Sequence, residues 1–348
     1  MIIINGRFLS QHISGVQRHA NEVSKEIARI NKQVVILAPK NIIDNSITDE
    51  LKIIRFGFLK GHLWEQIELP LYIFFKGYKK FTLLNLCNTA PILIRNKIST
   101  IHDVAFLKIP HSFSFIFRLF YKIFIPIIIN TSKSIITDSK FSAKEIKDSL
   151  NLKKIKIDIV NPFVKEDFFS DLQNLRKNKI ILTVSSFSPH KNLERLIKAF
   201  SLLDDNSLTL LIIGEEHKNF SSTSTHLTPD SRIKFLGRVS DLDLKRYYEN
   251  ATCFIFPSLY EGFGLPPLEA QASNCPCIVS DAASLPEVFQ NSVLYCDPYS
   301  INDIKDKINE MLTNKDLRDM YKNLGFKNAK RFSAEISAKK IIEIINEN

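Results

Sequence analysis

The sequence predicts an α/β protein of two Rossmann-like domains, each built on a parallel sheet, facing each other and joined by one linker. Three observations predict it. The chain has 348 residues, enough for about two domains at roughly 150 residues each. Short apolar runs of strand length alternate with amphipathic helical stretches in the first half, and the alternation restarts after residue 180. Between the two series, around Asn161 to Asn178, the pattern breaks at Pro162 into mixed charged and polar residues. The domains are therefore expected at 1–165 and 166–348, with the final helix free to pack back on the first. Ligands of open parallel sheets bind beyond the carboxyl ends of the strands, so the facing crevice is the expected active site.

Taken in order, Ile2 to Ile4 reads as a buried strand, followed by a loop with Ser14-Gly15. Val16, Ala20, Val23, Ile27 and Ile30 then recur at helical spacing, and Val34 to Ala38 is a second strand; this is a βαβ opening. Phe81 to Leu86, Ile98 to Ile101 and Ser134 to Thr137 each run into a polar loop and read as further parallel strands. After the linker come strands at Ile180 to Ser185, Leu208 to Ile213, Ile233 to Leu236, Cys253 to Phe256 and Cys277 to Ser280. Helices are expected over Lys191 to Leu203, over Leu242 to Glu249 and from Pro266.

Composition narrows the function classes. Hydrophobic residues at 45% and charged residues at 24% are globular usage and exclude a disordered chain. Five scattered cysteines and an apolar start too short for a signal peptide point to the reducing cytoplasm. Cys275-Pro276-Cys277 lacks the second ligand pair of a zinc site. Residues 1–170 hold 25 Lys and Arg against 14 Asp and Glu, a net of +11, whereas 171–348 hold 22 against 23. A basic half suits nucleic acid, an anionic membrane or a phosphorylated ligand, with coding bias as the plain alternative. The stretch Phe113 to Ile129 is apolar but interrupted by Arg118, Lys122 and Pro126, too short to span a bilayer. It reads either as an interfacial helix or as one buried in the first domain.

The densest chemical signal lies between Phe256 and Ala270, after a strand and into a helix. Pro266 begins that helix with its φ already set. The amides of Phe263, Gly264 and Leu265 lie at the positive helix end, and Gly262 and Gly264 let an anion approach the backbone. Glu269, placed in the first turn, would repel that anion unless it turned to neutral hydroxyls such as a ribose diol. Glu261 is free to accept from a second polyol. A polyol on each side of a diphosphate describes a nucleotide sugar.

The motif Glu-Gly-Phe-Gly-Leu-Pro-Pro-Leu-Glu-Ala, with Glu261 and Glu269 eight positions apart, resembles the signature of glycosyltransferase family 4, the retaining GT-B enzymes. The resemblance extends through Ser186 to Asn192, Leu236-Gly237-Arg238-Val239 and Ser284 to Val288. In the first half it takes in Ser14 to Arg18, Trp64-Glu65-Gln66, His102-Asp103 and Thr137-Asp138-Ser139. It implies a donor site in which Glu261 holds sugar hydroxyls, Glu269 the ribose, and Lys191 the diphosphate from the side opposite the Gly264 amides. It also implies that His102 contacts the donor sugar near the reacting carbon, in competition with a loop histidine held by its neighbour. Gly15 is tipped by the resemblance toward the ligand and away from helix packing. Members often carry an arginine before the lysine; this chain has Ser185, Ser186 and His190 nearby, and His190 is the candidate for the missing charge.

The resemblance further implies a metal-independent transfer from a nucleoside-diphosphate sugar, with no cofactor. The acceptor would be a saccharide or lipid-linked saccharide in cell-surface polysaccharide synthesis, as in the mannosyltransferase-like subgroup. Pro-x-Lys-Asn and Ser-Gly-Val-Gln-Arg favour GDP-mannose, with UDP- and dTDP-sugars open. The enzyme would work in the cytoplasm, with peripheral contact to an anionic inner membrane face, and without nucleic acid. The rival class is a basic nucleic-acid or membrane binding module on a non-catalytic scaffold, but no recognition module of that kind is found. A nicotinamide dehydrogenase would need Gly-x-Gly-x-x-Gly after a strand, which is absent. Asp241-Leu242-Asp243 reads as a helix start behind Ser240 and not as a metal motif, and Ser284 to Glu287 reads as a capping box.

Overall fold

The computed structural model describes residues 1–11, 15–43, 51–151, 155–170, 179–214 and 230–347. Ser14 and the 171–178 part of the linker lie outside them. The chain divides into two compact units, Met1–Phe163 with Ser333–Asn348, and Val164–Phe332.

The first unit is a seven-stranded sheet in the order β3-β2-β1-β4-β5-β6-β7. Its strands are β1 (Ile2–Asn5), β2 (Val34–Pro39), β3 (Ile53–Phe56), β4 (Thr82–Asn85), β5 (Lys97–Thr100), β6 (Ser134–Thr137) and β7 (Ile157–Ile159). All neighbours are parallel. The central strands β1, β4, β5 and β6 are buried on both faces almost throughout, which is why they show as short apolar runs. The edge strands β3 and β7 are only half-buried, so their sequences carry no such run, and the periodicity did not reveal them.

Between β3 and β4 a continuous helix runs from Gly61 to Phe75, widening to a π-type turn at Trp64–Glu68. The wide turn has a cause. Pro70 has no amide to give and its ring would crowd the carbonyl four residues back. The Leu69 amide reaches five residues back, to the Trp64 carbonyl, and the loosened turn lets both Trp64 and Glu65 point inward, where each is buried.

The helix Phe115–Thr131 is buried in its second half and open to solvent at its start. Ile125, Ile128 and Ile129 are buried against the sheet, whereas Phe115 and Ile116 in the first turn are 73% and 79% exposed. No helix among the described residues is long and apolar enough to cross a membrane.

The second unit is a six-stranded parallel sheet in the order β10-β9-β8-β11-β12-β13. The strands are β8 (Ile180–Val184), β9 (Thr209–Ile213), β10 (Ile233–Gly237), β11 (Cys253–Phe256), β12 (Cys277–Ser280) and β13 (Leu294–Cys296). One core packs Leu196, Ile197 and Phe200 of the helix Leu193–Ser201 against Ile181, Ile212 and Ile255 of the sheet and Ile304 and Ile308 beyond.

The last helix, Ala334–Glu347, lies on the helix Gly15–Ile30 of the first unit. Ala338, Ile341 and Ile344 are buried, and Ser337 Oγ donates to the Asn161 carbonyl at 2.7 Å. Replacing Ile341 by Ala should cost about 2–5 kcal/mol, the range for a fully buried side chain left as a cavity. Hydrogen exchange should then rise in β1, β2 and Gly15–Ile30; an increase confined to Val164–Phe332 would contradict this packing.

Candidate functional site

The strand order of the second unit reverses between β8 and β11, and the loops after those two strands hold most of the residues singled out by sequence. In parallel sheets this is where adjacent loops diverge and leave room for a ligand. After β8 the chain makes a 3-10 turn, Pro189–Lys191, and Asn192 takes a left-handed conformation at φ 63° before the helix Leu193–Ser201 starts. Lys191 therefore stands in the turn and does not begin the helix, as the periodicity had suggested. Asn192 is locked by its side-chain amide, which donates to the carbonyls of Pro257 at 3.0 Å and Pro298 at 2.7 Å. The Leu259 amide donates to the His190 carbonyl at 2.7 Å. These bonds tie the β8 loop to the β11 loop and bring Lys191 Nζ within 2.6 Å of Glu261 Oε1. The Phe256 ring lies 5.5 Å from the same ammonium, within cation–π reach.

The Glu261 backbone has its own support. Ser284 Oγ donates to the Glu261 carbonyl at 2.9 Å and makes no cap bond to its helix, Leu285–Phe289. The capping-box reading of Ser284 is thus corrected, because its hydroxyl is spent on the site loop. Phe263 is buried edge-on against Phe332. Gly264 has φ +101°, and a Cβ there would come within 2.7 Å of Leu285 Cδ2, so both conformation and space require glycine. The helix starts at Leu265, with Pro266 one position later. Prolines at 266 and 267 carry no amide, which leaves the Gly264 and Leu265 amides as the donors at this positive end.

Glu269 stands in the second turn of that helix and not in the first. It is 7% exposed, and the Tyr248 hydroxyl donates to its Oε2 at 3.3 Å. Burial, reinforced by the carboxylate, holds the Tyr248 phenol well above its usual pKa, so it remains a donor. Ser186 is exposed and bonds Ser188. Burial and the neighbouring Lys191 push the His190 imidazole down to about 4. That shift works against His190 as the source of the missing positive charge. Ser240 accepts from the Asp243 amide at 3.1 Å and donates to its carboxylate at 2.6 Å, so Asp241-Leu242-Asp243 opens a helix.

The first unit holds a second polar constellation at its strand ends. His102, after β5, is buried, with Nδ1 at 3.0 Å from both oxygens of Asp138 at the end of β6, and Nε2 3.3 Å from the Leu86 carbonyl. Burial opposes the charged ring, but the Asp138 carboxylate outweighs it and the His102 pKa is raised. Asp103 is not the partner: its carboxylate accepts from the Ala105 amide. His19, on the helix Gly15–Ile30, shares this neighbourhood and is pushed by burial down to about 4. Gly15 lies exposed at the start of that helix.

Beyond β1 and β4, Arg7 bonds Glu65 at 3.1 Å and Thr89 at 2.8 Å, and Asn5 bonds Glu65 at 2.7 Å and Asn85 at 2.9 Å. Sequence reasoning assigned no role to Asp138, Arg7 or Tyr248. Of these only Asp138 stood in a quoted motif, as did Glu65, the partner of Arg7, and nothing in the spacing names a partner 36 or 58 positions away.

Residues 164–328 match the family model described as glycosyl transferases group 1. Among curated proteins, the O-antigen chain mannosyltransferase RfbU of Salmonella typhimurium is 31% identical over 235 residues, covering 66% of this chain and 64% of that protein. The N,N'-diacetylbacillosaminyl-diphospho-undecaprenol alpha-1,3-N-acetylgalactosaminyltransferase of Campylobacter jejuni is 27% identical over 198 residues, 56% of this chain and 51% of the relative. The matched stretches thus span less than two thirds of either relative. The crystal structure of WaaG, a glycosyltransferase involved in lipopolysaccharide biosynthesis, superposes with a TM-score of 0.76 at 14% identity, covering both chains fully. That likeness is one of fold, and the fold is GT-B.

The two histidines of the first unit should titrate in opposite senses. The raised pKa of His102 contributes stability that is complete below about pH 6.5 and is lost as pH rises through the folded value. The lowered pKa of His19 contributes stability present above about 6.5 and lost as pH falls toward 4. Imidazole NMR titrations should show His102 still protonated above 6.5 and His19 neutral to near 4. In Asp138→Asn the His102 midpoint should fall; an unchanged midpoint would remove the pairing.

Proposed function

We propose that the chain is a member of the group 1 glycosyl transferases, a retaining, metal-independent enzyme moving a hexose from a nucleoside-diphosphate sugar to a saccharide or lipid-linked acceptor. The observation that carries this reading is the convergence of Lys191, Glu261 and the Gly264–Leu265 amides at the β8/β11 reversal. Mannose from GDP-mannose is the favoured transfer, supported by the motifs of this chain and by the Salmonella relative. Assembly of a cell-surface polysaccharide is the setting, and a lipid diphosphate acceptor is supported by the Campylobacter relative.

In this reading the donor diphosphate lies between the Lys191 ammonium and the amides at the start of the helix Leu265–Ala272. The diphosphate competes with Glu261 for Lys191. A carboxylate relieved of that contact can accept from sugar hydroxyls. Glu269, held by Tyr248, takes the ribose diol. The acceptor hydroxyl attacks from the face the diphosphate is leaving, and a leaving oxygen takes its proton. Negative charge grows on that oxygen, so a preorganised ammonium and aligned amides lower the barrier without reorganising. For His102 to serve the donor sugar, its Nε2 would exchange the Leu86 carbonyl for a sugar hydroxyl, while Asp138 keeps the ring oriented and its pKa raised.

The first unit would bind the acceptor and dock on an anionic membrane. Its excess of cations supports this, as do exposed Phe115, Ile116, Leu119 and Ile123 beside Lys122. Lys76, Lys79 and Lys80 are exposed as well, and each such cation near an anionic surface is worth about 1 kcal/mol.

Kinetics should separate the two charged contacts. Lys191→Ala should lower kcat by about 10²-fold or more, the scale of losing one preorganised charge partner. Glu269→Ala should chiefly raise KM and weaken binding of the free nucleoside diphosphate, since a ribose contact serves ground and transition states alike. Wild-type turnover in the first variant, or unchanged calorimetric affinity in the second, would reject its assignment, and abolition of wild-type activity by EDTA would reject metal independence.

The 348-residue chain should co-sediment with phosphatidylglycerol vesicles and not with phosphatidylcholine vesicles at low salt. Binding to neither would leave coding bias as the account of the charge.

A further inference from the structure

The first unit carries an apolar cavity of about 650 Å³ that the proposed chemistry does not use. It lies along the helix Leu69–Phe75, walled by Ile67, Leu71, Phe74, Phe81 and Leu93. From Gln66 at one end to Phe74 at the other, the helix rises by about 12 Å. Four of its walls open to solvent, with Ile67 47%, Leu71 48%, Phe74 78% and Leu93 78% exposed, while Ile73 and Ile94 form a buried floor. Exposed aliphatic and aromatic side chains gathered around a concavity are costly in water and mark a binding surface.

Gln66 does not make the cavity polar. Its amide donates to the Ala90 carbonyl at 2.9 Å, and its carbonyl accepts from the Ile92 amide at 3.0 Å. It thereby fixes the segment that carries Leu93 as the facing wall. At the other end the Asn96 amide donates to the Phe81 carbonyl. What the cavity offers an occupant is apolar contact. Charge lies at one place only: Arg95 is part of the lining, and Lys76, Lys79 and Lys80 follow directly on the helix end, all exposed.

We infer that this cavity holds one acyl chain of an anionic bilayer phospholipid, with the lipid phosphate met by Arg95 and the lysines after the helix. The position of the cations chooses this occupant over the acceptor's own lipid. Phe81 immediately precedes β4, and Arg95 and Asn96 immediately precede β5. A headgroup there sits at the strand starts, the opposite end of the sheet from Asn5, Asn85 and His102, whereas reacting groups of a parallel sheet belong at the strand ends. The site is thus an anchor. It rests on the proposed membrane docking and gives it a hydrocarbon component, which salt does not screen as it screens surface charge.

The test uses the full chain and dioctanoyl phosphatidylglycerol below its micelle concentration, with glycerol 3-phosphate and farnesyl diphosphate as comparators, by calorimetry. Expected is saturable binding of the dioctanoyl lipid, at least tenfold tighter than glycerol 3-phosphate. The doubly substituted Leu71→Glu, Leu93→Glu chain should lose that preference by tenfold or more and keep wild-type donor hydrolysis. Leu71 and Leu93 are 48% and 78% exposed, so folding is preserved, and the unchanged donor hydrolysis verifies it. Equal binding of glycerol 3-phosphate, or an unaltered affinity in the double variant, overturns the cavity assignment. Tighter binding of farnesyl diphosphate overturns it in favour of the acceptor chain. Phosphatidylglycerol vesicles distinguish the two layers of the proposal. If they capture wild type and double variant alike in 0.5 M salt, docking stands and the cavity falls; if they capture neither even at low salt, docking itself falls.

Discussion

A parallel sheet covered by helices on both faces has no surface left for chemistry except the ends of its strands. Both units obey this constraint, and both place the reversal of strand order beside their first strand, between β1 and β4 and between β8 and β11. The loops that leave those strands part in opposite directions. Polar side chains that would be expensive inside either core collect there: Asn5, Arg7 and Asn85 in one unit, Lys191 and Glu261 in the other. The cores need contribute nothing beyond rigidity, which the β8–β11 pair passes on through Asn192 and its two carbonyl partners.

The three charged pairs at these ends differ in how deeply they are buried, and the difference sorts their roles. Arg7 and Glu65 have side chains 7% and 1% exposed, and His102 and Asp138 9% and 10%. Breaking such a buried pair from one side typically costs about 3–5 kcal/mol because the survivor stays buried and uncompensated. These pairs are fixtures. Lys191 and Glu261 are 20% and 13% exposed, and each lies within reach of solvent. A phosphate oxygen can therefore replace the Glu261 carboxylate at Lys191 without stranding either charge, which is what a donor site requires and a structural pair would resist.

The asymmetry of charge along the chain has a structural counterpart. The near-neutral second unit carries Lys191 and the Gly264–Leu265 amides, whereas the basic first unit exposes apolar side chains at, among other places, the start of Phe115–Thr131 and the end of Leu69–Phe75. Cations stand beside both. Apolar side chains beside lysines are poorly served by water and well served by an interface that offers hydrocarbon and phosphate together.

The sequence by itself determined the two βα series, the strands buried on both faces, and the loop from Glu261 to Glu269, because each is written in contiguous residues: an apolar run, a helical stripe, a glycine before a proline. Edge strands β3 and β7 escaped it, since a half-buried strand with one neighbour needs no apolar run, and β13 escaped it because it is only three residues long. Short-range signals also misled where a polar group had a better distant partner. Ser284 looked like a helix cap and is spent on the Glu261 carbonyl, and Asp103 looked like the partner of His102 while Asp138 holds the ring. The tertiary structure alone decided which charges meet and how deeply they are buried. It also decided that burial lowers the His190 pKa and that the last helix lies on the first. Those outcomes depend on packing between segments tens to hundreds of residues apart, and no local pattern records the dielectric or the neighbour that packing creates.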